Sequence, residues 1–276
     1  MNTTDQQLAS KTEARRGSRF TRLRSYCFVV PIVYVYTGVM GTGALIASLF
    51  DGTGRVQHWF ARTWATLILK TVGVRVKIVG QEHLQGIQHA IYAANHLSAL
   101  DIPVLYSCLP GRFRIMAKQE LFRYPFLGWY LKRSGQIPIV SGDAQASLRS
   151  LNRAGEALRS GVPLMVFPEG GRSATGELRP FMGGAFFAAI RAQVPVIPVA
   201  IVGTYELLPI NSFHMLPGEV SLVIGEPIPT TGMRVRDMDK LSAQVRGVIA
   251  ELYDLHATRV LQANFGEDEP KPLASR

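Results

Sequence analysis

From residue 74 onward, short apolar runs alternate with longer stretches in which apolar side chains recur every three or four positions. Residues 74–80, VRVKIVG, alternate apolar and basic, the pattern of a half-buried strand. Further strands are predicted at 89–95 (HAIYAAN), 113–118 (FRIMAK), 136–140 (QIPIV), 163–170 (PLMVFPEG), 194–203 (VPVIPVAIVG) and 219–228 (EVSLVIGEPI). Between them lie helical patterns at 99–109, 124–135, 146–161 and 183–193, and a long one at 239–262. Strands alternating with helices define an α/β fold, with a mixed, largely parallel central sheet flanked by helices. In such a sheet the functional loops gather at the carboxyl ends of the strands.

The first 73 residues follow another pattern. Lys11, Arg15, Arg16, Arg19, Arg22 and Arg24 precede 25 residues without a charge, 26–50. That run is long enough to cross a hydrocarbon core of about 30 Å. It starts too late and runs too long for a signal peptide. Pro31, Gly38, Gly41 and Gly43 offer places to break it into a hairpin or re-entrant insertion. Residues 55–73, RVQHWFARTWATLILKTVG, put Val56, Trp59, Phe60, Trp64, Leu67 and Ile68 near helical spacing. This suits a helix lying at a membrane interface, or one covering the domain that follows; the two are compatible. The expected organisation is a basic N-terminus (1–25), a membrane-associated helical segment (26–73), an α/β domain (74–264) and a polar, disordered tail (265–276).

Composition narrows the class. The 276 residues are 47% hydrophobic and 18% charged, with a formal net charge of +10. A basic, apolar chain meets an anionic surface. Neither zinc spacing, nor a helix-turn-helix pattern, nor RNP-type aromatics are present, so membrane lipid is the expected partner rather than nucleic acid. Cys27 and Cys108 are too few and too far apart for a metal site and read as buried thiols. No metal or cofactor is expected.

Two stretches carry chemistry. In 95–101, NHLSALD, a strand gives way to a helix at His96, and Asp101 follows five residues on. Positions i and i+5 are not stacked neighbours within a helix, so the pair meets only if His96 lies at or before the first turn. A carboxylate on one ring nitrogen would fix the tautomer and leave the other to accept a proton from an alcohol. The structural alternative is a helix cap or a core histidine. No Gly-x-Ser-x-Gly elbow accompanies it, so His96 reads as a base rather than the partner of a protein nucleophile. In 166–173, VFPEGGRS, a strand ends in a glycine turn. Gly170 and Gly171 let backbone N–H groups approach an anion. Arg172 offers a planar fork for phosphate, and Glu169 can accept from a substrate hydroxyl or hold the loop. The structural alternative is an ordinary glycine turn beside a solvated arginine.

Taken together these stretches resemble the lysophosphatidic acid acyltransferase family, the 1-acyl-sn-glycerol-3-phosphate acyltransferases. Asn95, His96 and Asp101 match the family's Asn-His-x4-Asp motif. Phe167, Pro168, Glu169, Gly170, Arg172 and Ser173 match its Phe-Pro-Glu-Gly-Thr-Arg-Ser motif, with Gly171 in place of Thr. The apolar VPVIPV run matches a third block, and Lys118 stands at the family's lysine. The likeness runs from about Val74 to Ile228. One block departs: Val140 and Ser141 stand where Asp and Arg are usual, and that Arg is associated with the acceptor's phosphate.

The resemblance implies acyl transfer from acyl-CoA or acyl carrier protein to the free hydroxyl of a lysophospholipid. It makes His96 and Asp101 catalytic, and Lys118, Glu169, Gly170, Gly171 and Arg172 substrate-binding. The Gly170–Gly171 turn would supply N–H groups to the oxyanion. A cytoplasmic thioester donor implies a monotopic or hairpin insertion with residues 74–276 on the cytoplasmic face. Glycerol-3-phosphate or another lysolipid as acceptor, and a non-catalytic lipid-binding protein, stay open at this point.

Overall fold

The computed structural model describes residues 18–140 and 144–266. Lys11, Arg15, Arg16, Ser141 and the tail from 267 therefore lie outside the described residues.

Seven strands form one sheet: β1 (Val74–Val79), β2 (Ile91–Ala94), β3 (Arg114–Lys118), β4 (Ile137–Ile139), β5 (Leu164–Val166), β6 (Val196–Val202) and β7 (Gly218–Ile224), in spatial order β1-β7-β6-β2-β5-β3-β4. β6 and β7 pair antiparallel and every other neighbouring pair is parallel. The mixed, largely parallel sheet expected from the sequence is therefore what forms. Five adjacent strands, β6 to β4, point the same way and deliver their carboxyl ends to one edge of the molecule.

The central strands are apolar on both faces because both faces are covered. Tyr92, Ala94, Met165, Ile197 and Val199 pack into one core cluster; Ile91, Ala93, Leu164, Val166 and Val196 pack into the other. The first cluster lies under α1 (Arg19–Ala47), α2 (Arg55–Val72) and α3 (Asp101–Cys108). The second lies under α5 (Ala144–Arg159), α6 (Gly184–Ala192) and α8 (Met238–Phe265). Two short α-helices complete the described residues: α4 (Leu127–Arg133) follows a 3-10 turn at Gln119–Arg123, and α7 (Thr204–Leu207) is a single turn.

α1 passes through Pro31 and three glycines unbroken, contrary to the hinge those residues suggested. A π-helical stretch, Ser25–Val29, ends two residues before Pro31. Its wider turn accommodates a ring that would clash with the carbonyl four residues back. The chain reverses only after Ala47, where Asp51 accepts hydrogen bonds from Thr53 N and Val56 N, both 2.8 Å, and so starts α2.

α1 and α2 form a hairpin fastened at its base. The Arg24 guanidinium donates to Val72 O and Met215 O, and Ser25 Oγ donates to Met215 O. A Cβ on Gly43 would meet the Phe60 ring at 2.6 Å, so glycine is what lets the two helices approach this closely. Trp64 Nε1 donates to Thr37 Oγ1 across the same contact.

The face of α2 buried against the domain is Gln57, His58, Ala61, Ala65, Ile68, Leu69 and Val72, while Trp59, from the apolar set at helical spacing, is exposed. Small alanines let α2 lie close to the domain, and the bulkier Phe60 and Trp64 turn towards α1. His58 sits between the Tyr106 and Phe113 rings, and burial pulls its imidazole down to about 4, so it packs as a neutral ring. Cys27, expected to be buried, is exposed on the outer side of α1; Cys108 is half-buried, its thiol pushed up by desolvation.

Candidate active site

The chain leaves β2 at Asn95, whose amide is locked into the next strand. Asn95 Nδ2 donates to Ile201 O at 2.9 Å, and Ile201 N donates to Asn95 Oδ1 at 2.7 Å. This clamp fixes where His96 begins. His96 N then donates to Glu169 Oε1 at 2.7 Å, and His96 O accepts from Ser173 N at 3.0 Å. The histidine is therefore strapped by its backbone to the glycine turn after β5. Its ring stacks on Phe167 with centroids 4.0 Å apart and planes 18° apart.

Asp101 opens α3, and His96 precedes that helix. The geometry required for a His-x4-Asp pair is met: His96 Nδ1 lies 2.8 Å from Asp101 Oδ2. The same oxygen accepts Leu97 N (2.8 Å) and Ser98 N (2.9 Å), and Oδ1 accepts Thr204 Oγ1 at 2.6 Å. Asp101 has no solvent exposure, and these four hydrogen bonds replace the water its oxygens have lost. The His96 side chain keeps 17% exposure. With Nδ1 held by Asp101, Nε2 remains for chemistry.

Glu169 is almost wholly buried at 3% exposure. Its oxygens accept His96 N and Arg179 N, the latter at 2.9 Å. Desolvation raises its pKa, and those two N–H groups partly offset the rise. Of the two uses the sequence allowed for Glu169, this geometry serves holding the loop: the carboxylate ties the exit of β2, the glycine turn and residue 179 into one unit.

In that turn Gly170 has a φ of +67°, which favours glycine, and a Cβ there would lie 2.5 Å from Met182 Sδ. Gly170 N is spent on Phe167 O at 3.1 Å. Of the two N–H groups expected to face an oxyanion, Gly171's is thus the one without a partner among the described residues.

Three cations surround the turn. A Cβ on Gly171 would lie 3.4 Å from an Arg179 guanidinium nitrogen and 3.5 Å from Lys118 Nζ. Arg172 is exposed and makes no hydrogen bond or ion pair among the described residues. The structure therefore brings His96, Asp101, Glu169 and Gly171 together, with Lys118 beside them at the end of β3.

Sequence reasoning missed three contributors: Thr204, the Asn95–Ile201 clamp and Arg179. Thr204 lies just beyond β6, and the only available hint was the strand-end rule. Arg179 left a weak signal, a cation eight residues past the glycine turn.

Comparison with known proteins gives one consistent answer. A family model described as Acyltransferase matches residues 75–202. The chloroplastic 1-acyl-sn-glycerol-3-phosphate acyltransferase BAT2 of Brassica napus is 33% identical over 243 residues, 85% of this chain and 68% of that protein. The 1-acyl-sn-glycerol-3-phosphate acyltransferase of Saccharomyces cerevisiae is 32% identical over 213 residues, 76% of this chain and 70% of that protein. Among solved structures, the 1-acyl-sn-glycerophosphate acyltransferase PlsC of Thermotoga maritima superposes with a TM-score of 0.71 at 26% identity. It covers 86% of this chain and 98% of its own.

Proposed function

Because the chain belongs to the 1-acyl-sn-glycerol-3-phosphate acyltransferase family, we propose that His96 is the general base of an acyl transfer assembled at the strand carboxyl ends. The enzyme acylates the free hydroxyl of 1-acyl-sn-glycerol-3-phosphate and forms phosphatidic acid, a step of phospholipid biosynthesis. The observation that carries the mechanism is the 2.8 Å contact between His96 Nδ1 and buried Asp101, which leaves Nε2 directed to a substrate.

His96 Nε2 takes the hydroxyl proton as that oxygen attacks the thioester carbonyl. The C–O bond forms and negative charge develops on the carbonyl oxygen. Gly171 N–H stabilises it. When the C–S bond breaks, the imidazolium returns its proton to the leaving thiolate. Asp101 supports the imidazolium throughout. No protein nucleophile is required. Lys118 and Arg172 hold the acceptor's phosphate as charge-assisted donors, joined by Arg179.

The donor is acyl-CoA or acyl carrier protein. The test is turnover by the purified protein with a panel of acceptors. Phosphatidic acid formation from 1-acyl-sn-glycerol-3-phosphate is expected to exceed acylation of lysolipids lacking a phosphomonoester by at least about tenfold, the difference a charge-assisted contact to the phosphate makes; glycerol-3-phosphate, which keeps the phosphate but lacks the acyl chain, is the separate control for acyl-chain binding. Equal rates across the panel would remove the phosphate-binding roles, and no turnover with any acceptor would favour a silent lipid-binding protein.

The protein is membrane-associated. Phe28, Tyr34, Val35 and Val39 are exposed along α1, and Phe50, Trp59 and Trp129 are exposed as well. The fastening of Arg24 and Ser25 to Val72 and Met215 keeps the start of α1 beside the end of α2. This supports a monotopic insertion in which the basic N-terminus and residues 74–276 share the cytoplasmic face. A topology reporter fused after residue 50 is expected to read as cytoplasmic. A signal from the opposite side would establish a single crossing and sink this arrangement.

A further inference from the structure

β4 is an open edge of the sheet, and a groove of about 550 Å³ runs beside it. Four cations line the groove: Arg114, Lys132, Arg149 and Arg153. Among the described residues Glu156 is its only acid. Among the described residues, none of the four cations forms an ion pair or donates a hydrogen bond. Arg149 and Arg153 are four residues apart on α5, so they share a helix face and repel each other. Arg114 is half-buried, and desolvation together with neighbouring Arg112 lowers its pKa. This concentration of unpaired charge in a concave site is unfavourable until an anion enters.

The groove also has a direction. Gln119 and Val140, at one end, directly follow Lys118 and Ile139, the last residues of β3 and β4. That end opens towards the catalytic edge of the sheet. Arg114 and Gly135 mark the other end, five residues back in each case and about 16 Å away by the rise of a strand. Across the sheet, three strand spacings separate β4 from β2, about 14 Å. A ligand with its anionic group among the arginines and a reacting group at His96 must therefore be long, thin and flexible between the two.

We propose that this groove binds the phosphorylated nucleotide end of the thioester donor, acyl-CoA, whose pantetheine arm then runs along the sheet's carboxyl edge to His96. The assignment rests on the acyltransferase reading above and adds to it a donor class and a second binding site. The groove lies within the volume range of small-molecule sites, about 300–1,000 Å³, and is concave, which suits a nucleotide better than the broad face of a carrier protein. Lys132 also borders an apolar hollow beside Leu45, Leu49 and Trp129. The phosphate of an anionic lipid is thus the competing source of the same chemistry.

The experiment compares the full-length protein with its Arg149→Glu/Arg153→Glu variant and the milder Arg149→Gln/Arg153→Gln variant. Both arginines are exposed, so the fold is expected to persist. The charge reversal should raise KM for acyl-CoA about tenfold or more, as expected when two charge-assisted contacts are lost. The glutamine pair should give a smaller rise in the same direction. KM for an acyl-pantetheine thioester lacking the nucleotide, KM for lysophosphatidic acid and kcat at saturating donor should not change. Adenosine 3′,5′-bisphosphate should bind the wild type in calorimetry and fail to bind the charge-reversed variant, a readout that does not depend on turnover. If no acyl transfer occurs with any acceptor while this binding persists, the catalytic reading falls and the groove assignment stands.

Several results would overturn the groove assignment: a changed KM for lysophosphatidic acid alone, a loss confined to acyl carrier protein as donor, or a loss confined to binding of phosphatidylglycerol vesicles. So would unchanged donor kinetics together with unchanged nucleotide binding.

Discussion

Replacing His96 by Ala is expected to lower kcat by about three orders of magnitude, within the 10²–10⁴ range that a positioned general base contributes. KM for lysophosphatidic acid should change little, because Lys118, Arg172 and Arg179 are untouched. The variant should fold. Asp101 would still accept Leu97 N, Ser98 N and Thr204 Oγ1, so no buried carboxylate is orphaned. The backbone of residue 96 keeps its bonds to Glu169 and Ser173. Steady-state kinetics beside a melting curve read both halves of the expectation. A large fall in melting temperature would mean that the Phe167 stack, rather than proton transfer, is what the ring supplies.

The second large effect belongs to Asp101→Asn, and its signature differs. The amide matches the carboxylate in shape but cannot stabilise an imidazolium, and its NH2 group opposes a donor on one side. The expected fall in kcat is again about three orders of magnitude or more, as when the buried acid of a histidine pair is neutralised in other enzymes. Here stability should fall too. Asp101 has no exposure and accepts four hydrogen bonds. Weakening charge-assisted bonds in such a site costs about 1–3 kcal/mol. Thermal unfolding should therefore separate the two variants, with Asp101→Asn shifted down and His96→Ala near the wild type. Identical melting temperatures with unequal kinetics would mean that the carboxylate's hydrogen bonds do not hold the loop.

The His96–Asp101 pair was legible in the sequence because its requirement is local: the helix must begin between the two residues, and α3 begins at Asp101. The central strands were legible because both faces of the sheet are covered there, so their apolar runs are continuous; β1 was legible by its alternation. The order of the strands was not. β1 lies beside β7, and β7 runs antiparallel to β6, through pairings that no local pattern encodes. Thr204 escaped for the same reason, since it meets Asp101 across 103 residues of chain. Which face of α2 meets the domain was not legible from its apolar spacing, because close packing onto the domain selects Ala61 and Ala65 while Trp59 stays exposed. Glu169 stood inside a recognisable motif, yet only the pairing of β2 with β5 shows which backbone groups its carboxylate holds.

The most direct test of the central claim isolates the chemical step. Wild type and His96→Ala, both in vesicles and saturated with acyl-CoA, are mixed rapidly with 1-acyl-sn-glycerol-3-phosphate, and phosphatidic acid is followed through a single turnover. The account predicts that product forms at least about a hundredfold more slowly in the variant at equal substrate occupancy. Equal single-turnover rates would contradict it and place the acceptance of the hydroxyl proton elsewhere.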